Sequence, residues 1–289
     1  MSKVRHFDVA GINIRVHPIH EPFRYLALWK ALWAQKTNVT HASHALMIGE
    51  YNVDTPGFIK GNFYRFLQVD TDAPWFDVDK HMKAADEDVG QVHIPPALKP
   101  NLTEIPYVLD LKRHCLYFVS HEQEMNLSPV IVDKLLKRLT GLPVIRKQFG
   151  DVDLTVLTDR GRVQEMLKMP VIRKLTITLE RPNPAEEEDD ETVYERLERR
   201  KLKSETHIYQ KLKGEATINV DAEMHAQAEN AMDNGLVEVV GKNLAGQPVK
   251  EASKDFPTKI KGTYTPTGMA SQTLKDALLA LVIDIGARK

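Results

Sequence analysis

Short runs of alternating apolar and polar residues recur from one end of this 289-residue chain to the other, and that period of two constrains the fold more than any other feature. Alternation puts successive side chains on opposite faces of an extended segment, so each run predicts a strand with one face against a core. Phe7, Val9, Ile12, Ile14 and Val16 predict a strand over residues 6 to 17, with a bulge or turn where the pattern slips at Gly11. Further strands are predicted at 44 to 51, 63 to 69, 105 to 110 and 115 to 120, then in DVDLTVLTD, VIRKLTITLE and LVEVVG.

Helical stripes interrupt these runs. Tyr25, Leu28, Trp29, Leu32 and Trp33 follow i, i+3, i+4, i+7, i+8 spacing, which predicts a helix with two tryptophans on one buried stripe. Ser128 as N-cap, Pro129 in the first turn and Gly141 as a stop frame a helix over 129 to 140, with Ile131, Val132, Leu135, Leu136 and Leu139 as its apolar stripe. A short helix is expected in GRVQEMLKM, a charged solvated one in YERLERRKLKS, and another capped by Asp221 and ending at Asn234 and Gly235. The last helix carries Leu274, Ala277, Leu278, Leu281, Val282 and Ile285, with Thr273 and Asp276 as a capping box and Gly286 as its end. Leu279, Ala280 and Ile283 make it apolar almost all round, so its own core or a partner subunit must cover it.

Strands and helices interleaved in this way predict an α/β protein of the mixed α+β kind, with two modest domains whose mixed sheets are flanked by helices. The prolines and acids between Arg181 and Asp190 place the division, giving residues 1–183 with the basic helix 129–140 and residues 184–289 as a helical or mixed second part. Residues 70 to 100 carry prolines and acidic clusters and read as a surface loop.

Hydrophobic residues at 42% and charged residues at 27% fit a globular chain rather than a disordered one. No stretch approaches the ~20 apolar residues of a membrane span, and MSKVRHFDV lacks a signal-peptide apolar region, so a cytoplasmic protein without membrane contact is expected. The single cysteine, Cys115, sits in the apolar run CLYFVS and reads as packing.

No Walker loop, GxGxxG, GxSxG or CxxC occurs, which removes the common nucleotide, dinucleotide, hydrolase and zinc-ribbon readings; no cofactor and no catalytic set is predicted. His17 with His20, and His41 with His44, have spacing alone to suggest a metal, and lack the further ligands that zinc needs. Asp151 and Asp153 share a strand face and, with Glu165 and Lys168 on the next helix, match by type the carboxylates of a metal-dependent nuclease. Exposed polar positions on a half-buried strand are the simpler account of both aspartates, and the one we favour.

Charge is segregated although the net value is only −1. Asp70 to Asp88 holds seven acidic and two basic residues, whereas Asp133 to Lys174 holds ten basic and five acidic. On the 129–140 helix Lys134, Lys137 and Arg138 form a ridge roughly opposite the apolar stripe. Arg146, Lys147, Arg160, Arg162, Arg173 and Lys174 follow, a concentration suited to phosphate contacts on nucleic acid. The acidic segment suits instead an adaptor or inhibitor that binds a phage or host protein.

The phrases IKGNFYRFLQVD, APWFDV, IPPALKPN, LTITLERPNP and NGLVEVVGKNLAGQPV, spread from near residue 45 to near residue 285, resemble a family of uncharacterised bacterial and prophage-borne proteins of about this length. Their segment order is similar, far more distantly, to the phage exclusion protein RexA and the Kiwa defence protein KwaB. This resemblance implies a homodimer that binds double-stranded DNA with little sequence preference and takes part in phage exclusion or antiviral defence without catalysis. It assigns no residue, so the expected contacts are those of the charge argument.

Overall fold

The computed structural model describes residues 3–17, 21–70, 73–95, 97–181, 188–267 and 270–287. In chain order its elements are β1 (Arg5–Val16), α1 (Pro22–Ala34), β2 (Asn38–His41), β3 (His44–Asn52), β4 (Phe58–Leu67), β5 (Phe76–Asp77), β6 (Met82–Lys83), α2 (Asp86–Val89), β7 (Thr103–Asp110), β8 (Cys115–Glu122), β9 (Met125–Asn126), α3 (Pro129–Thr140) and α4 (Pro143–Phe149). They continue with β10 (Val152–Val156), α5 (Arg160–Leu167), β11 (Val171–Glu180), α6 (Glu188–Arg199), β12 (Ser204–Gln210), α7 (Ala222–Asp233), β13 (Gly235–Lys242), β14 (Pro248–Ala252), β15 (Ile260–Tyr264) and α8 (Ala270–Ala287). The class is α+β, as the interleaved periods predict, and the pairings among these strands are antiparallel.

The larger sheet runs β10-β1-β8-β7-β4-β3-β2. One edge of β1 faces β8, and the other is shared between β15 along Arg5–Val9 and β10 along Ile12–Val16. The slip at Gly11 is followed through by strand rather than turn, and the register shift in the β1–β8 pairing falls at Asp8/Val9 instead. Helix α3 touches both β10 and β2, which end the sheet on opposite sides, so the sheet curls round the helix as a half-barrel. Val132, Leu135, Leu136 and Leu139 of α3 fill the concave side with Trp29, Phe63, Tyr107 and Phe118. The Trp29 indole N–H donates to the Tyr107 hydroxyl at 2.9 Å. Gly61 lies directly beneath that hydroxyl, where a Cβ would stand 2.4 Å from its oxygen, so the aromatic layer depends on a residue without a side chain. Helix α8 covers the outer surface, burying Leu274, Leu278 and Val282 over β7 and β15.

The smaller sheet runs β12-β11-β13-β14. Helices α5, α6 and α7 bury Val163, Met166, Val193, Leu197 and Ala231 against Leu175, Ile177, Leu179, Val237 and Val239, a second core distinct from the first.

Several expectations meet a different outcome. The two cores do not follow a cut at 183/184, because β11 belongs to the second core while β15 and α8 return to the first sheet. Local alternation shows that a strand has a buried face without showing which sheet it joins. Trp29 is fully buried, but Trp33 in the last turn of α1 is 43% exposed and packs edge-on against Tyr51. Helix α8 starts at Ala270, so Thr273 lies inside it and its hydroxyl donates to the Thr267 carbonyl at 2.7 Å instead of capping. Between 70 and 100 the described residues form only the β5–β6 pair and the one-turn α2. The segment expected to divide the chain, and His20, lie wholly or partly outside the described residues.

Candidate nucleic-acid interface

Helix α3 keeps the boundaries its cap signals predict, 129 to 140, and Gly141 and Leu142 lead straight into α4. Ser128 takes the N-cap position without a side-chain cap bond. From Pro129 to Phe149 the chain has five basic residues and one acid, Asp133. The apolar stripe holds α3 in the half-barrel and leaves Lys134, Lys137 and Arg138 exposed. Ile145 and Phe149 anchor α4 and leave Arg146 and Lys147 exposed. Arg24 of α1 braces this second helix, its guanidinium 4.8 Å from the Phe149 ring centroid.

Ion pairing sorts the nine predicted cations. Lys137 is tied to Asp133 at 2.8 Å, Arg160 to Asp233, and Arg162 to Glu165 at 2.6 Å with Glu251 at 3.5 Å. Lys134, Arg138, Arg146 and Lys147 form no ion pair among the described residues and lie on consecutive helices. Arg173 and Lys174 sit elsewhere, at the register shift between β11 and β13 on the second core's sheet. The nine therefore divide into a group of four on α3 and α4, a pair on β11, and three already neutralised.

The carboxylates considered for a nuclease are not brought to one point. Asp153 is buried and accepts from Lys203 Nζ at 2.8 Å, with His17 Nε2 at 3.2 Å from its other oxygen. Burial opposes its ionisation, but these two hydrogen bonds and the nearby Lys203 and Arg15 charges outweigh that and hold the carboxyl well below its ordinary value. Asp151 is exposed, and Glu165 is engaged by Arg162 on α5. Among the described residues no three His, Cys, Asp or Glu side chains are grouped to hold a metal ion.

Residue patterns did not point to the polar network where the two cores meet. Arg15 of β1 is fully buried. It donates to Thr155 Oγ1 at 2.8 Å, to the Arg181 carbonyl at 2.7 Å, to Asn234 Oδ1 at 3.2 Å and to the Glu180 carboxylate. Asn13, two residues earlier on the same strand face, donates to the same Asn234 oxygen at 3.2 Å. In INIRV these polar residues alternate with apolar ones, as they would on a solvated face; the available signal was the long arginine inside so apolar a strand.

The fold and these surfaces define an α+β protein with a curled antiparallel sheet, a second helix-covered sheet, and a cationic helix pair on the first. A family described as "Domain of unknown function (DUF4747)" matches residues 5–282, and the chain belongs to that family. No curated protein matches it. Among the described residues no helix is long and apolar enough to cross a membrane.

Proposed function

We propose that this protein binds nucleic acid, double-stranded DNA foremost, through the exposed faces of α3 and α4 with little sequence preference. The observation that carries the reading is the set of four exposed cations, Lys134, Arg138, Arg146 and Lys147, without acidic partners on two rigidly seated helices. Such groups favour phosphate contacts, and neutralising about four phosphates gives log K against log salt a slope near −3.6. Fluorescence anisotropy with an arbitrary duplex across a salt series is the test. Reversing Lys134 and Arg138 to Glu lowers the steepness by about two, and absence of binding at low salt overturns the reading.

Phage exclusion or antiviral defence is the setting we infer, the one that a kinship with RexA and KwaB would imply. A homodimer fits that setting, and Ile283, 47% exposed on α8, offers an apolar contact for a second copy. Light scattering at micromolar concentration checks this, and a monomer's mass rejects it.

One observation favours an adaptor reading. The β5–β6 hairpin exposes Phe76, Val78 and Met82 beside Asp79, while Asp77 is tied to Lys80 at 3.0 Å, so the surface is chiefly apolar with an acidic margin, suited to a basic protein. Deleting residues 76–83 would then abolish capture of a partner that survives nuclease treatment while sparing duplex binding; unchanged capture rejects this reading.

A further inference from the structure

The concave side of the half-barrel holds a cavity of about 370 Å³ between the β2–β3 hairpin, β4 and the start of α3. That volume lies within the range of small-ligand pockets, about 300–1,000 Å³. Register explains its lining. Val39 pairs with Leu46 and Leu46 with Arg65, forming one row across β2, β3 and β4. His41 pairs with His44 in the next same-face row, because each lies two residues from a member of the first. A tight turn at Ala42, whose φ is +50°, makes that pairing possible and brings both imidazoles to one end of the cavity.

Two imidazoles and a guanidinium therefore converge from three strands, and no Asp or Glu lines the cavity among the described residues. His44 engages Ser43 through Nδ1 at 3.2 Å, leaving Nε2 for a ligand. Arg65 spends one amino group on the Asn126 carbonyl, while its buried Nε has no hydrogen-bond partner among the described residues. Buried Leu46 and half-buried Ile131 form an apolar wall beside these donors. One guanidinium charge and two imidazoles at one end, with an apolar wall beside them, fit a ligand with an oxyanion at one end and a flat body at the other.

We propose that this cavity binds the phosphate monoester of a nucleotide, with the phosphate on His41, His44 and Arg65 and the nucleoside against Leu46 and Ile131. The monoester comes either from a free nucleotide or from the phosphorylated end of a strand. The second source rests on the nucleic-acid reading above. Geometry links the two sites, since Ile131, Lys134 and Arg138 stand at i, i+3 and i+7 and so share one flank of α3. A strand held along that flank has its end near the cavity.

Calorimetric titration of the full chain with thymidine 5′-monophosphate, with a 12-nucleotide strand carrying a 5′-phosphate, and with the same strand ending in 5′-hydroxyl tests the proposal. The phosphate improves strand affinity about tenfold or more, the loss expected when charge-assisted hydrogen bonds are removed. Binding of the free nucleotide as well assigns the pocket to a soluble ligand, and preference confined to the strand assigns it to strand ends. Arg65→Gln removes the preference, and because Arg65 also holds the Asn126 carbonyl, the exposed pair His41→Asn/His44→Asn provides a second variant that leaves the sheet intact. Equal affinity for both strand ends with no nucleotide binding overturns the proposal. So does a phosphate preference that survives in both variants. The free-nucleotide arm does not need duplex binding, so failure of the pocket and failure of the α3–α4 interface read out separately.

Discussion

Asp153 lies between opposing forces that set its behaviour in acid. Burial favours its neutral form, whereas the His17 and Lys203 hydrogen bonds favour the carboxylate and prevail. The Asp153 bond in turn pushes the Lys203 ammonium up. A carboxyl held below its unfolded value, about 3.9, adds stability that is fully present above that value and drains away as pH falls towards the folded one. Chemical denaturation of Asp153→Asn should therefore show lower stability than the parent at pH 7 and a smaller decline below about pH 4. Parallel pH profiles for the two proteins would reject the assignment. The sequence marked Asp153 as a candidate by residue type, but not its use: Lys203 lies fifty positions away in a stretch that reads as solvated, and only the tertiary fold brings it across. Glu165, grouped with Asp153 by residue type, instead finds its charge partner three positions away on its own helix.

Helix α3 shows how far local chemistry reaches. A first-turn proline, a glycine after the last turn and an unbroken apolar stripe all lie within the segment itself, and the helix begins and ends where they predict even though Ser128 makes no side-chain cap bond. Spacing also ranks its cations, since Asp133 and Lys137 stand at i and i+4 and form the 2.8 Å pair. That pair was legible in the sequence, as was Arg162 with Glu165 at i and i+3, whereas Asp233, the partner of Arg160, and Glu251, the second partner of Arg162, come from α7 and β14. The two lysines of α3 should therefore differ. Lys134→Ala should weaken duplex binding and lower the salt slope by about one, while Lys137→Ala should cost less than half as much because its charge is already shared with Asp133. Anisotropy titrations of both variants decide this, and equal losses would mean that the ion pair opens on binding. Helix α8 marks the opposite limit: its apolar circumference required cover, and nothing local could specify the outer face of β7 and β15.

At the scale of the molecule, two cores share one chain and meet at a polar seam. Polar residues that read as a solvated strand face, Asn13 and Arg15, are buried because the ends of β11 and α7 close over them. These contacts join positions 166 to 221 residues apart, which is why no local pattern announces them. Arg15 is fully buried, so its desolvation is offset only while Glu180, Thr155, Asn234 and the Arg181 carbonyl remain in place. Arg15→Met keeps much of the side-chain volume and removes all of those donors. Glu180 retains some access to water, with its side chain 29% exposed, so the cost belongs at the lower end for a broken buried pair, about 3 kcal/mol. Because the seam spans both cores, that loss weakens their coupling more than either interior. Scanning calorimetry should then resolve one cooperative transition in the parent into two in the Arg15→Met protein, the smaller core of β11 to β14 melting first, as it has fewer buried apolar residues to lose. A single transition in the variant, shifted or unshifted, would show that the cores are coupled through other contacts, and the burial of Arg15 would then need a different explanation.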